Sequence, residues 1–321
     1  MDPTVVTRTS DLRDRLDAAR RSGHPGAASP DIVGFVPTMG AFHEGHRSLM
    51  RAARAHHDFV VVSLFVNPLQ FGPAEDLDRY PRDLDGDLAV AGSEGVDLVF
   101  APAVAEMYPD GPPRTTVHVA GLGDRLCGAG RPGHFDGVAT VVAKLFALVG
   151  PATAYFGRKD AQQLAVVRRL AADLNLGVEV VGCPLVREAD GLAMSSRNRN
   201  LTPAERDAAT VLHRALRSGA ELVEAGERDA GRLRRVVANV AITEELVRLE
   251  YAEVVDAASL EPVQVLEGPG GNEVLVAVAA RVGGIRLIDN MTLRVDAAGV
   301  GVDLGVTVAP TTPGEAACAA G

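Results

Sequence analysis

The chain of 321 residues predicts a doubly wound α/β domain followed by a smaller α+β domain. Three observations carry this expectation. Strand-length apolar runs alternate with helix-length amphipathic stretches through the first part of the chain, the pattern of a parallel sheet with crossover helices. The run at 59–66 is apolar almost without a break, which suits a strand covered on both faces. Near residue 190 the alternation stops, and a block of helical pattern is followed by three strands with a Gly283-Gly284 hairpin signal between the last two.

The elements follow in order. Ser10 can cap a helix to Arg20 that turns Leu12, Leu16 and Ala19 to one side. A buried strand is expected at 32–36, a helix carrying Leu49 and Met50 at 48–55, and a strand at 59–66 ended by Asn67-Pro68. Residues 96–100 read as a strand closed by Ala101-Pro102, and 115–119 as a short edge strand. A helix at 138–149 would point Val142, Leu145 and Leu148 inward. A strand at 154–156, a helix at 162–174 and a strand at 178–186 complete the first domain, 1–186. Thr202 as cap and Pro203 at the first helical position start the second, 187–295. Helices are expected to about 249, then strands at 249–255, 274–282 and 285–288. The Gly-, Ala- and Pro-rich stretch 296–321 is expected to be a flexible tail.

Composition narrows the function. A hydrophobic content of 47% fits a globular protein, and a net charge of −10 argues against nucleic-acid binding through a basic surface. Cys127, Cys183 and Cys318 are far apart and form no CxxC pair, so neither a disulfide framework nor structural zinc is expected. The first residues show no secretory pattern, and no apolar run approaches the ~20 residues a membrane span needs. A cytoplasmic protein that does not engage membranes is the expectation.

The most informative stretch is Pro37-Thr38-Met39-Gly40-Ala41-Phe42-His43-Glu44-Gly45-His46. Two histidines three apart sit where a strand hands over to a helix, near one face of its first turn. There the free amides and the helix dipole favour an anion, and imidazole can donate to a phosphate and move a proton. A triphosphate site fits; one buried and one surface histidine is the plainer alternative. Zinc is disfavoured, since the spacing is not HExxH and no further ligand is evident. Gly40 to Arg47 also mimics a P-loop, but His46 replaces its lysine and Arg47 its Ser/Thr.

Three further groups could carry chemistry. In Gly157-Arg158-Lys159-Asp160, the glycine would let backbone approach a ribose, Lys159 suits phosphate and Asp160 could accept from ribose hydroxyls; a charged turn is the alternative. In Met194-Ser195-Ser196-Arg197-Asn198, hydroxyls, amides and a guanidinium could cradle a polyphosphate, or form an ordinary polar loop. The amides Asn67, Gln70 and Gln163 could orient a hydroxy acid without quenching its carboxylate. His134 reads as structural. Asp83, Asp85 and Asp87 could meet magnesium, but a solvated helix face is the preferred reading.

Together, PTMGAFHEGH at 37–46, FVNPLQF at 65–71, RPGHFDGVATVV at 131–142, YFGRKDAQQ at 155–163 and MSSRN at 194–198 resemble the pantothenate synthetase (pantoate–β-alanine ligase) family. The resemblance implies a Rossmann-like domain of the HxGH nucleotidyltransferase type, usually dimeric, here expected as a homodimer. It implies a ligase that uses ATP and Mg²⁺ to convert pantoate to pantoyl adenylate, then lets β-alanine displace AMP to give pantothenate. By motif, Met39, Gly40, His43, Gly45, His46, Gly157, Arg158, Lys159, Asp160, Met194, Ser195, Ser196 and Arg197 would bind ATP, with Val186 near the adenine. His46 would donate a proton as pyrophosphate leaves, with His43, Lys159 and Arg197 offsetting charge. Gln70 and Gln163, with Asn67 beside them, would hold pantoate, and Gln70 would also lie near β-alanine. The acidic cluster that assists magnesium in relatives is matched only in part by Asp85 and Asp87, so the metal ligands stay unknown. The second domain would close as a lid over the mixed anhydride. An HxGH enzyme transferring a nucleotide to a phosphate acceptor, and a regulator that binds ATP without consuming it, are the other classes considered.

Overall fold

A computed structural model describes residues 2–22, 32–72, 77, 80–266, 273–296 and 299–308. The chain divides into two compact units, Met1–Cys183 with Ala258–Leu260, and Pro184–Ala257 with Glu261–Gly321.

The first unit contains β1 (Thr4–Val6), α1 (Thr9–Ser22), β2 (Val33–Thr38), α2 (Glu44–His56), β3 (Phe59–Leu64), α3 (Leu84–Ser93), β4 (Leu98–Phe100), α4 (Val104–Met107), α5 (His134–Val149), β5 (Ala152–Gly157), α6 (Ala161–Asp173) and β6 (Val178–Cys183). Its six strands are all parallel, in the order β1-β4-β3-β2-β5-β6. The chain winds outward from β2 through β3 to β4, then returns to the other side of β2 for β5 and β6. The winding therefore reverses between β2 and β5, where open α/β sheets bind ligands at the strand carboxyl ends. Two of the sequence motifs of this unit run out from there: Met39 follows β2 and Arg158 follows β5.

The apolar strands are explained by two-sided burial. Val60, Val61 and Val62 are all inaccessible, so consecutive side chains of β3 are buried on both faces of the sheet. The end of α2 is pinned to β5 by a buried contact between His57 Nε2 and the Tyr155 hydroxyl at 2.9 Å. Residues 115–119 do not form the expected edge strand; the Val117 amide donates to Thr140 Oγ1 on α5 at 2.9 Å, a side-chain partner in place of a ladder. The expected strand 178–186 is also interrupted. Pro184 offers no amide to continue the ladder, so β6 stops at Cys183.

The second unit contains β7 (Val186–Arg187), α7 (Pro203–Ala209), α8 (Val211–Glu224), α9 (Ala230–Ala241), β8 (Val247–Asp256), β9 (Glu273–Val282), β10 (Ile285–Asp296), β11 (Gly299–Asp303) and β12 (Val306–Thr307). Thr202 and Glu205 close a reciprocal capping box at the start of α7, as the Thr-Pro-x-Glu pattern predicts. An antiparallel sheet, β11-β10-β9-β8, shares one core with α8 and α9 through Leu212, Leu216, Leu233, Val237, Val276 and Met291. Gly283, at φ 55°, turns the chain between the paired residues Val282 and Ile285.

The stretch read as a tail from 296 needs correcting. Residues 299–303 pair with β10, and 306–307 pair in parallel with β7. Alternating Val300, Val302 and Leu304 supply the apolar face that packs on the core, a pattern obscured by the neighbouring glycines. Residues 309–321, Cys318 among them, lie outside the described residues.

Candidate active site

The turn after β2 is built by backbone chemistry. Gly40 and Ala41 both take left-handed conformations, at φ 88° and 54°. For Ala41 this costs about 1 kcal/mol, which the surroundings must offset. A β-carbon at Gly40 would meet Asp87 Oδ2 at 2.7 Å, so only glycine fits. The next two amides, of Ala41 and Phe42, donate to Asp87 Oδ2 and Oδ1 at 2.8 and 2.7 Å. Asp87 is thus buried under the turn, where the sequence favoured a solvated helix face. Only Asp85 and Asp83 remain of that acidic run, and Asp83 caps α3 through the Gly86 amide.

The turn delivers His43 as the N-cap of α2 and His46 three residues later. Each ring accepts a backbone hydrogen bond at Nδ1, His43 from Gly45 N at 3.1 Å and His46 from His43 N at 3.3 Å. This is a capping box made of two imidazoles. A neutral ring that accepts at Nδ1 carries its proton at Nε2, so both histidines are Nε2–H donors. Their ring centroids lie 4.2 Å apart. His46 is held neutral: burial, then the nearby His43 and Lys159, push its pKa down to about 3, against a smaller opposing pull from Asp160. His46 is thus a neutral hydrogen-bond donor, because its burial and a second positive charge beside Lys159 are both unfavourable to protonation.

Lys159 and Asp160 belong to a single 3₁₀ turn, Arg158–Asp160, directly after β5. β5 pairs with β2 in parallel, so this turn leaves the same end of the sheet as the first motif, and Lys159 and Asp160 both act on His46. Arg158 points elsewhere, donating to the Gly182 carbonyl at 3.3 Å. At Gly157 a β-carbon would meet nothing within 4 Å, so the strand end faces open space. Arg47, which stands where a P-loop has Ser/Thr, is engaged with Glu94 at 2.6 Å.

Gln70 lies in the 3₁₀ turn Pro68–Gln70 after β3 and is buried. Asn67 Nδ2 donates to Gln70 Oε1 at 3.1 Å, which fixes the amide so that Gln70 Nε2 faces Met39 Sδ, also at 3.1 Å. Sulfur is a weak acceptor, so a ligand oxygen would be a better partner for that N–H. Asn67 itself has its capacity filled. It donates to Gln70 and to the Gly137 carbonyl at 3.0 Å, and accepts from Tyr108 at 2.9 Å and from Leu69 N at 3.3 Å. Read from sequence as a substrate amide, Asn67 instead orients Gln70. Tyr108, its pKa pushed up to about 12 by burial, stays a donor to Asn67. His134 holds Gln70 from the other side, with Nδ1 2.8 Å from the Gln70 carbonyl and Nε2 2.9 Å from Arg131. The guanidinium can only donate, so His134 carries its proton at Nδ1 and has the structural role the sequence suggested. Gln163 is half-buried on α6, while its neighbour Gln162 is buried and fastened to Leu122, Arg125 and Cys127.

Of these supports, Tyr108 and Gln162 were missed by the sequence reading, as was Asp87's position. Asp87 sits in the first turn of a helix, and nothing in its local pattern points to a turn 46 residues earlier.

In the second unit, Met194, Ser195, Ser196 and Arg197 form a loop entering a 3₁₀ turn, Ser196–Asn200. Ser195 Oγ accepts from Arg197 N at 3.3 Å, and Arg197 is exposed. The loop is fastened by Asn198, which donates to Glu188 and to the Ala193 carbonyl at 2.7 and 3.1 Å, and by Met194 N donating to the Val186 carbonyl at 2.9 Å. Val186 is buried in β7 and presents its backbone to this loop. Beneath lies Arg187, buried in a bidentate pair with Asp289 at 2.7 and 2.9 Å and further bound to the carbonyls of Gly191, Asn290 and Leu304.

Among the described residues, no three His, Cys, Asp or Glu side chains gather as a metal site. Asp87, the acid beneath the turn, already accepts two amides. The described residues therefore offer no preformed cage for Mg²⁺.

Comparison with known proteins shows the family. Residues 4–292 match the family described as pantoate-beta-alanine ligase. The chain is 58% identical to the pantothenate synthetase of Heliobacterium modesticaldum over 263 residues, covering 82% of this chain and 92% of that protein. It is 54% identical to that of Acidothermus cellulolyticus over 294 residues, covering 90% and 95%. In structure it is similar to the pantothenate synthetase of Thermus thermophilus, with a TM-score of 0.80, 48% identity and coverage of 89% and 98%. The Francisella tularensis pantoate-beta-alanine ligase, solved with beta-gamma ATP and beta-alanine, aligns with a TM-score of 0.69 at 29% identity, covering 90% and 97%.

Proposed function

The chain belongs to the pantoate–beta-alanine ligase family, and we propose that the end of its parallel sheet, between β2 and β5, activates pantoate with ATP for attack by β-alanine. The observation that carries this reading is the imidazole capping box beside Lys159: two Nε2–H groups and a cation at a helix N-terminus suit a triphosphate.

A carboxylate is a poor electrophile, so the reaction needs a leaving group. The pantoate carboxylate oxygen attacks the α-phosphorus of ATP; the bond from that phosphorus to the α,β-bridging oxygen breaks and pyrophosphate leaves. The β-alanine nitrogen, as the free amine, then attacks the acyl carbon of the adenylate, AMP leaves with the C–O bond electrons, and the nitrogen loses a proton to solvent to give the amide. No covalent enzyme intermediate is needed.

In the first step, charge builds on the α-phosphate and on the departing pyrophosphate. His43 and His46 donate from Nε2, and Lys159 offsets charge through its ammonium, all preset before the reaction begins. Once the polyphosphate is bound, its negative charge favours protonation of His46; the added proton goes to Nδ1 at the expense of the bond from His43 N, and the ring can then pass its Nε2 proton to the leaving group. Met39, Gly40, Gly45, Gly157, Arg158 and Asp160 complete the nucleotide-binding turn, with Asp160 on ribose hydroxyls. Gln70 donates to pantoate, and Gln163 offers a second amide. Mg²⁺, an ion usually held largely by substrate phosphates, would offset phosphate charge here, and no protein ligand is assigned to it. In the second unit, Met194, Ser195, Ser196 and Arg197 are proposed to bind nucleotide phosphates, with Val186 near the base. The enzyme is proposed to act as a homodimer in the cytoplasm.

The test is AMP release in the presence of ATP, pantoate and β-alanine, with each acid omitted in turn. AMP should require both, and pantoate-dependent exchange of pyrophosphate into ATP should need no amine. His46→Ala should slow adenylate formation by ~10²-fold or more. AMP formed without β-alanine at the full rate would point to another reaction.

A further inference from the structure

Asp87 is the side chain whose position the proposed reaction does not explain. It comes from the first turn of α3, is 5% exposed, and places one carboxylate oxygen on each of two successive amides, Ala41 N at 2.8 Å and Phe42 N at 2.7 Å. Successive amides that converge after left-handed residues form a concavity suited to an anion. In phosphate-binding loops of that shape the anion is the ligand. Here the concavity is filled by a carboxylate of the protein.

We propose that Asp87 is a positioning residue: a built-in anion that holds the Gly40–Ala41 turn in its left-handed form and so sets the two imidazoles as Nε2–H donors. The geometry links each step. The turn ends at His43, whose amide supplies the bond that occupies His46 Nδ1. His43 Nδ1 is occupied in turn by Gly45 N, one residue into α2. If the amides of 41 and 42 lose their acceptor, Ala41 is no longer held at φ 54°, and the entry angle into the cap relaxes. Because the carboxylate claims the amides of Ala41 and Phe42, a bound polyphosphate is left to the other donors of the turn. α3 is suited to the task, since Glu94 just beyond its end is ion-paired with Arg47 and Arg51 on α2, so the helix that carries Asp87 is tied to the helix it serves.

The consequence for catalysis rests on the reading that His43 and His46 contact the triphosphate. The experiment separates the two. In full-length Asp87→Ala, the imidazole ¹⁵N resonances of His43 and His46 are recorded without ligand, and pantoate-dependent ATP–pyrophosphate exchange is measured. The expected result is loss of the uniform Nε2–H pattern and a fall of ~10- to 100-fold in kcat, the range that misplacement of catalytic groups produces, with a smaller change in the KM for pantoate. Sodium formate, a carboxylate that fits the vacated volume, should restore exchange several-fold, while neutral formamide should not. Asp87→Asn, which keeps the volume but replaces one acceptor with a donor, serves if the alanine variant does not fold, and should show the same spectral change. Unaltered imidazole resonances, or no recovery with formate, would overturn the proposal. Altered resonances with undiminished exchange would leave the clamp standing and remove the histidines from the reaction.

Discussion

His46 is held neutral, and this sets its response to pH. Its pKa is pushed down to about 3 by burial and by His43 and Lys159, whereas the unfolded chain has the ordinary value near 6.5. Between those values the unfolded state binds the extra proton, so folding stability falls as pH drops from about 6.5 toward 3 and is flat above. The gap in melting temperature between the native protein and His46→Asn should therefore narrow on going from pH 7.5 to 4.5; a constant gap would contradict the depressed pKa. By the same logic, kcat/KM for ATP, which reports the free enzyme, should show no ionisation near 6.5 from this ring. Gly157 makes a second prediction. Its φ is −77°, ordinary for alanine, and a β-carbon there touches no protein atom. Gly157→Ala should fold with an unchanged melting temperature yet raise the KM for ATP on the order of tenfold, about 1.4 kcal/mol, if nucleotide occupies that space. An unchanged KM would move the nucleotide off this strand end.

Elements, rather than single side chains, hold Gln70. The turn after β3 supplies Asn67 and Gln70, the single helical turn at 104–107 leads to Tyr108, and α5 brings Gly137 and His134. Removing the Asn67 amide frees Gln70 to rotate and leaves two buried partners short of a bond, each worth about 1 kcal/mol. Asn67→Ala should then raise the KM for pantoate more than that for ATP in steady-state assays. Equal rises would argue for general loosening of the turn. The order of elements was legible in the sequence because apolar period and length report it directly: β3, α5 and α6 follow from Val, Leu and Phe spacing. Helix starts were legible where a local cap exists, as at Thr202. The broken run at 178–186 and the unformed strand at 115–119 were misread because a strand needs a partner, and periodicity does not say whether one is available. In the first case Pro184 ended the ladder, and in the second Thr140 replaced it.

At the scale of the molecule, the second unit depends on one buried ion pair. Arg187 and Asp289 are 102 residues apart and nearly inaccessible, and Arg187 also binds three carbonyls, among them those of Gly191 and of Leu304 just before β12. Removing one partner leaves the other charge buried, which costs about 3–5 kcal/mol. Asp289→Ala should lose stability in that range by chemical denaturation, and a replacement of both by apolar residues should lose much less. A small effect of Asp289→Ala would mean that the carbonyls alone satisfy Arg187. Within the sequence lay the alternation that makes a parallel sheet, the histidines at a strand-to-helix turn and the order of the polar motifs, because backbone periodicity and capping are written in neighbouring residues. The tertiary structure alone decided which imidazole nitrogen bears hydrogen, which carboxylate lies beneath the turn and how the Gln70 amide is turned. Those outcomes depend on partners brought close by folding from distant parts of the chain, and hydrogen-bond geometry at that range leaves no local pattern to read.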